Sequence, residues 1–329
     1  MIMLYGVLLT GALFLFGPKF PPIGPLPPVP IPADNPQTQA KVKFGKQLYF
    51  DPRLSGNNKI SCATCHLPSL GFSNGQRIAK GGPNLTDEGG RNTPTVYNTA
   101  YIKFQFWDGR AATLEEQALG PMQNPIEMHK DLTKLVIELN GIPEYVKQSK
   151  AIFGTEITPE VIAKSIAAFE RTVISTNSPF DRYMKGHKTA MSESAIRGME
   201  LYNGKARCNV CHNGPNFADD KFHNLGLPPV DPTKPDVGRY GVTKDEKDMG
   251  AFKTPTLRSI EETAPYMHNG FMRSLMEVIE FYDQGGGRDP NKDKEMKPLK
   301  LTQQEKQDLV EFLKALTGES LNITPPALP

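Results

Sequence analysis

All four cysteines of the chain fall in two copies of one pattern, Cys62-Ala-Thr-Cys65-His66 and Cys208-Asn-Val-Cys211-His212. Two thiols separated by two residues can form thioethers to the vinyl groups of a haem, and the histidine that follows can bind the iron from the proximal side. The spacing therefore points to two covalently attached c-type haems, with His66 and His212 as proximal ligands. The alternatives are a pair of disulfides or a four-cysteine zinc site. Zinc does not require a histidine directly after each pair, and the motifs lie too far apart in sequence for a compact knuckle.

Large cofactors need elements to hold them. Helical periodicity dominates from Val42 onward: Leu132, Leu135, Val136 and Leu139 share one face, as do Ile162, Ile166, Phe169 and Val173, and Leu309, Leu313 and Leu316. Thr302 with Glu305 reads as a capping box for the last helix. The long loops 67–98 and 213–260, rich in Gly, Pro and Asn, need something to organise them, and a haem would serve.

The chain has 329 residues, 38% of them hydrophobic, enough for two domains with real cores. Its formal net charge of +2 argues against nucleic-acid binding or a polybasic membrane patch. Residues 1–17 are almost wholly apolar and uncharged, which reads as a signal peptide or a membrane anchor; no clear cleavage site settles which. Prolines crowd residues 18–38, a linker expected to run as an extended tether.

Each half of the chain carries one haem motif, and each has a Thr-Pro-Thr loop after it, Thr93-Pro94-Thr95 and Thr254-Pro255-Thr256. This weak repeat, with helix breaks at Ser178-Pro179 and Lys185-Gly186, divides the chain into 39–182 and 183–329. The expected fold is all-α: two cytochrome c-like helical domains facing each other, each with one c-type haem.

From about Val42 to Gly318 the chain resembles the bacterial dihaem cytochrome c peroxidases, and within them the MauG-like branch. The matching stretches are Phe50-Asp51-Pro52-Arg53-Leu54-Ser55, Arg91-Asn92-Thr93-Pro94-Thr95-Val96, Phe106-Trp107-Asp108-Gly109-Arg110, Asn124-Pro125-Ile126-Glu127-Met128 and Thr263-Ala264-Pro265-Tyr266-Met267-His268-Asn269-Gly270. The resemblance makes the first haem the peroxide site. It gives Glu127 the role of distal acid and base, Gln117 that of distal glutamine, and Trp107, the only tryptophan, that of electron relay. It also implies a calcium ion between the haems, held by Asn92, Thr263 and Pro265 through one side-chain oxygen and two backbone carbonyls. Many relatives carry a distal histidine that blocks the first iron until the second haem is reduced. No histidine lies between His66 and His129 here, so an open iron active without prior reduction is expected.

The resemblance makes the second haem the electron-transfer centre. Where ordinary members place a methionine ligand this chain has Tyr282, and MauG-like proteins have a tyrosine there. An anionic oxygen ligand favours the higher oxidation states of iron and lowers the potential. Met267, Met272 and Met276 compete for the position, and His268 is expected near the haem without ligating it. His129, His187 and His223 read as surface or loop residues.

The expected function is reduction of hydrogen peroxide to water through a high-valent dihaem state, with electrons from a small cytochrome or copper protein. Two alternatives stand beside it: a MauG-like oxidase that modifies a partner protein, and a non-catalytic dihaem carrier or peroxide sensor. The resemblance and the export segment imply a periplasmic protein, with an N-terminal membrane tether and a homodimer left open.

Overall fold

The computed structural model describes residues 20–84 and 86–329, so the expected signal or anchor at 1–17 lies outside the described residues. Helices dominate. In the first half they are α1 (Gln39–Phe50), α2 (Cys62–Cys65), α3 (Leu114–Gln123), α4 (Leu132–Asn140), α5 (Pro143–Phe153) and α6 (Pro159–Glu170); in the second, α7 (Pro179–Met184), α8 (Glu193–Asn203), α9 (Tyr240–Thr243), α10 (Leu275–Asp283) and α11 (Gln303–Lys314). Among the described residues, strands are confined to two short antiparallel ladders. These pair β1 (Lys80–Gly81) with β2 (Asp87–Glu88) and β3 (Phe222–His223) with β4 (Phe252–Lys253).

Local chemistry fixes the helix ends. The side chains of Thr38, Thr113, Thr158, Ser192 and Ser274 each accept a first-turn backbone N–H, a contribution of about 1 kcal/mol apiece. Thr302 and Glu305 form the expected reciprocal box at the start of α11.

Two cores follow from the apolar faces. One gathers Phe44, Leu48, Ile162, Ile166 and Phe169; the other gathers Tyr202, Phe217, Leu309, Phe312 and Leu316, with Phe180 of α7 in the second. Each core is built on a close helix pair. A Cβ on Gly45 of α1 would sit 1.8 Å from the Ser165 carbonyl oxygen of α6, and one on Gly198 of α8 would sit 1.9 Å from that of Asp308 on α11. Only glycine permits these approaches. One turn on, the Tyr49 hydroxyl donates to the His66 carbonyl at 3.2 Å and the Tyr202 hydroxyl donates to that of His212. Gly45-Lys-Gln-Leu-Tyr49 and Gly198-Met-Glu-Leu-Tyr202 thus perform one task twice: they close a helix pair and anchor the haem-motif histidine behind it.

From Phe20 on, the proline-rich segment is extended, as its composition implies, and it is docked on both halves. Pro21 and Gly24 accept from Gly214 N–H and the Arg258 guanidinium at 3.1 and 2.8 Å, Ile23 enters the second core, and Pro27 accepts from the Tyr101 hydroxyl at 2.7 Å. The C-terminal tail runs the other way, with Leu321 and Ile323 packed on the first core. The described N-terminal segment thus reaches into the second core and the C-terminal tail onto the first. Arg258 is the knot: fully buried, it pairs with Asp181 of α7 at 3.0 Å and donates to the Pro215 carbonyl of the second proximal loop at 2.8 Å.

Candidate active site

Both haem motifs open onto a cavity. The first, about 510 Å³, is lined by Cys62, Cys65 and His66; the second, about 770 Å³, by Cys208, Cys211 and His212. The loops after the motifs orient the imidazoles. Phe72 and Phe217 sit at φ 55° and 54°, uncommon for a bulky residue, and turn their carbonyls onto His66 Nδ1 at 3.2 Å and His212 Nδ1 at 2.9 Å. That leaves each Nε2 for a metal, the usual arrangement of a ligating histidine. Burial lowers the pKa of both imidazoles, which favours the neutral, ligand-competent form. All four thiols are free, and a buried Thr93 hydroxyl on the first cavity has no partner. The donor set fits c-type haem in both places.

From the Thr-Pro-Thr loops onward the halves keep register without a gap. Thr95 and Thr256 donate to the Gly71 and Asn216 carbonyls at 2.6 and 2.9 Å, Phe106 and Met267 share a left-handed φ of 65° and 74°, and Thr113 and Ser274 cap α3 and α10. In this register Trp107 matches His268, Gln117 matches Val278, and Pro121 matches Tyr282. Pro121 and Tyr282 line the first and second cavities respectively. A proline side chain has no donor atom, so at this position α3 brings no ligating group to the first cavity, whereas α10 brings a phenol to the second. Met267 and Met296 also line the second cavity. Burial raises the Tyr282 phenol well above its ordinary pKa.

The halves meet through a reciprocal pair of bonds between matching positions. Asn92 N–H donates to the His268 carbonyl at 2.7 Å, and Lys253 N–H, the counterpart of Asn92, donates to the Trp107 carbonyl at 2.8 Å. Trp107 lines both cavities, and its Nε1 donates to the Asn92 carbonyl at 2.9 Å. His268 stacks on Phe252 at 3.5 Å, and burial brings its pKa down to about 4. Arg91 ties the halves at the rim, bridging Asp108 at 2.7 Å and Asp236 at 2.6 Å.

Glu127 and Gln117 both line the first cavity. Glu127 lies in the turn after α3, and strand β1 backs it: Gly82 N–H donates to its carbonyl at 2.7 Å, and Gly81 leaves no room for a Cβ against its Cα. Burial raises the Glu127 pKa, opposed by Arg110 and Asn124. Asn92 and Thr263, expected at a calcium ion, are buried; the Asn92 amide donates to the Gln76 carbonyl at 2.8 Å, and the Thr263 hydroxyl to that of Ile260 at 3.1 Å.

Three further residues stand on the cavity walls. His223, read from the sequence as a surface or loop residue, lines the second cavity between Asp293 at 2.5 Å and Asp219 at 3.1 Å. Lys253 is buried on the same cavity, where desolvation takes its pKa down to about 8 and no carboxylate among the described residues forms an ion pair with it. Glu170 is buried on the first cavity.

Two helical lobes, each with a Cys-x-x-Cys-His motif opening onto its own cavity and with Trp107 on the wall of both, fit a dihaem c-type cytochrome. The sequence profile of the di-haem cytochrome c peroxidases (CCP_MauG) matches residues 39–189. The cytochrome-c peroxidase IdrP1 of Pseudomonas sp. (strain SCT) is 44% identical over 94% of this chain and 89% of that protein. The methylamine utilization protein MauG of Methylorubrum extorquens is 41% identical over 92% of this chain and 85% of its own length. The crystal structure of a MauG-like protein associated with microbial copper homeostasis superposes with a TM-score of 0.81 at 33% identity, covering 94% of this chain and 97% of that one. The chain belongs to the di-haem cytochrome c peroxidase family.

Proposed function

We propose that this protein is an exported cytochrome c peroxidase that reduces hydrogen peroxide to water in the first cavity and draws two electrons through the second from a small redox protein. The observation that carries this reading is the first cavity itself, with a carboxyl, Glu127, and no protein ligand on α3 where the second cavity has Tyr282. Cys62, Cys65 and His66 would hold the haem of this cavity, which would supply the iron for binding peroxide and accepting its oxidising equivalents.

The protein supplies the rest. Glu127 takes the proton from one peroxide oxygen and returns it to the other, so that water leaves; its raised pKa suits both directions of that transfer. Gln117 orients the peroxide by hydrogen bonding. Trp107 carries electrons between the cavities whose walls it shares. Tyr282, on the wall of the second cavity, would hold the iron of the second haem through its phenol oxygen, and the charge of a ferric ion would favour the phenolate that burial disfavours. Asn92 and the carbonyls of Thr263 and Pro265 would hold a calcium ion, which would fix the geometry between the halves.

Tyr282 and the likeness to MauG favour a second reading, oxidation of a partner protein at a distance. Steady turnover separates the two. With peroxide and a reduced small cytochrome c, the peroxidase oxidises two donors per peroxide; a long-lived oxidised state that ignores the donor overturns that reading in favour of the second.

A further inference from the structure

The helix pairs that carry the two lobes can be set in register through their crossing points. Ser165 meets Gly45 and Asp308 meets Gly198, so α6 and α11 correspond there, and five residues on, Glu170 corresponds to Leu313. Both line their haem cavities and both are buried. The fold therefore accepts an aliphatic side chain at this place, yet the first lobe has a carboxyl, 6% exposed, whose Oε2 finds no hydrogen-bond partner. An unpaired buried carboxyl costs stability that leucine would not. It also stands electrostatically close to Cys62, the attachment point of the first haem.

We propose that Glu170 is the proton-exchanging partner of the first haem: when that haem gains an electron from the external donor, Glu170 takes up one proton from solvent, and it releases the proton when the electron leaves. This rests on the reading of the first cavity as a haem site and adds a second acid to it, separate in role from Glu127.

The surroundings favour exchange. Burial brings the Glu170 pKa up to about 8. The charged and titratable groups facing it are Arg171 on its own helix, which stabilises the carboxylate, Glu115 of α3, which opposes it, and Tyr49 of α1. Arg171 is committed to Glu115 at 2.7 Å, so its charge is largely spent. Lys41 of α1 stands near that pair. Cys62 becomes an uncharged thioether once haem is attached. A negative charge added at the haem raises the carboxyl pKa further, so electron and proton arrive together between the two pKa values.

The test uses the haem-loaded protein, wild type, Glu170→Gln and Glu170→Leu, with haem counted by pyridine haemochrome. The potential of the first haem, followed spectroelectrochemically from pH 6 to 10, is expected to fall with pH in the wild type and to be flat in both variants. The reduced-minus-oxidised infrared spectrum should show a carboxylic acid C=O band gained on reduction and absent from Glu170→Gln. A potential that stays pH-dependent in both variants, or the same band in Glu170→Gln, overturns the proposal. So does a wild-type spectrum without the band, even if neither variant loads haem. One haem per chain instead of two overturns the underlying haem assignment instead.

Discussion

Trp107 and His268 stand edge to face across the junction of the two lobes, ring centroids 6.4 Å apart, and they occupy the same position of the internal repeat. The carbonyl of each accepts the N–H of the residue that begins the other lobe's Thr-Pro-Thr approach, Lys253 for Trp107 and Asn92 for His268. The junction is thus a pseudo-twofold contact in which duplication has placed an oxidisable indole on one side and a neutral imidazole on the other. Of the two rings, Trp107 lines both cavities and His268 the second alone.

Replacing Trp107 by Phe keeps the packing and removes the indole and its bond to Asn92. The first haem of Trp107→Phe should react with peroxide at the wild-type rate while the spectral change of the second haem slows at least roughly tenfold, about 1.4 kcal/mol of barrier. Stopped-flow absorption resolves the two phases; equal rates in both phases count against the relay.

Glu127 must be ionised to accept the peroxide proton. Its pKa is raised by burial, so the rate of the peroxide reaction should climb as pH rises through that raised value and then level off. Glu127→Gln should remove the climb and slow the reaction by about 10²–10⁴-fold, the usual worth of a positioned acid and base. Rates measured from pH 4 to 9 decide it.

Tyr282→Phe deletes one oxygen in the second cavity and nothing in the first. Electron paramagnetic resonance of the ferric protein should lose the original low-spin signal of the second haem and retain the high-spin signal of the first. An unchanged low-spin signal would assign the ligand to Met267 or Met296, the methionines on that wall.

Gly198→Ala forces a methyl group into the α8–α11 crossing, and the lobe should lose about 1–3 kcal/mol, seen as a lower Tm. Gly24→Ala meets nothing within 4 Å and should leave Tm within error. Equal effects would mean the crossing is looser than it looks.

Much of this was legible in the residues. The haem motifs and the last helix with its Thr302 cap rest on local spacing, whereas Trp107, Gln117 and Glu127 were singled out by the family resemblance, and all three line the first cavity. The repeated Gly-x-x-Leu-Tyr segment was also visible, but its meaning needs the partner helix, because a glycine in a helix reads as a weak point until something is seen to fill the gap. Glu170 sits beside the apolar Ile162, Ile166, Phe169 stripe and reads as an ordinary helix-end carboxylate; its burial comes from α1 and the cavity. His223 lies in a polar loop segment, and only β3 pairing with β4 turns it inward between Asp219 and Asp293. Proline content marks 18–38 as extended without saying what it lies against, which is settled by long-range partners such as Arg258 and Tyr101.

The most direct test adds one equivalent of hydrogen peroxide to the fully ferric, haem-loaded protein and follows both haems by stopped-flow absorption. An open first iron with Glu127 beside it predicts immediate reaction without any prior reduction, spreading to the second haem, and rapid decay when a reduced small cytochrome is supplied. A ferric protein inert to peroxide until its second haem is reduced would contradict the open site, and one inert under both conditions would leave an electron carrier.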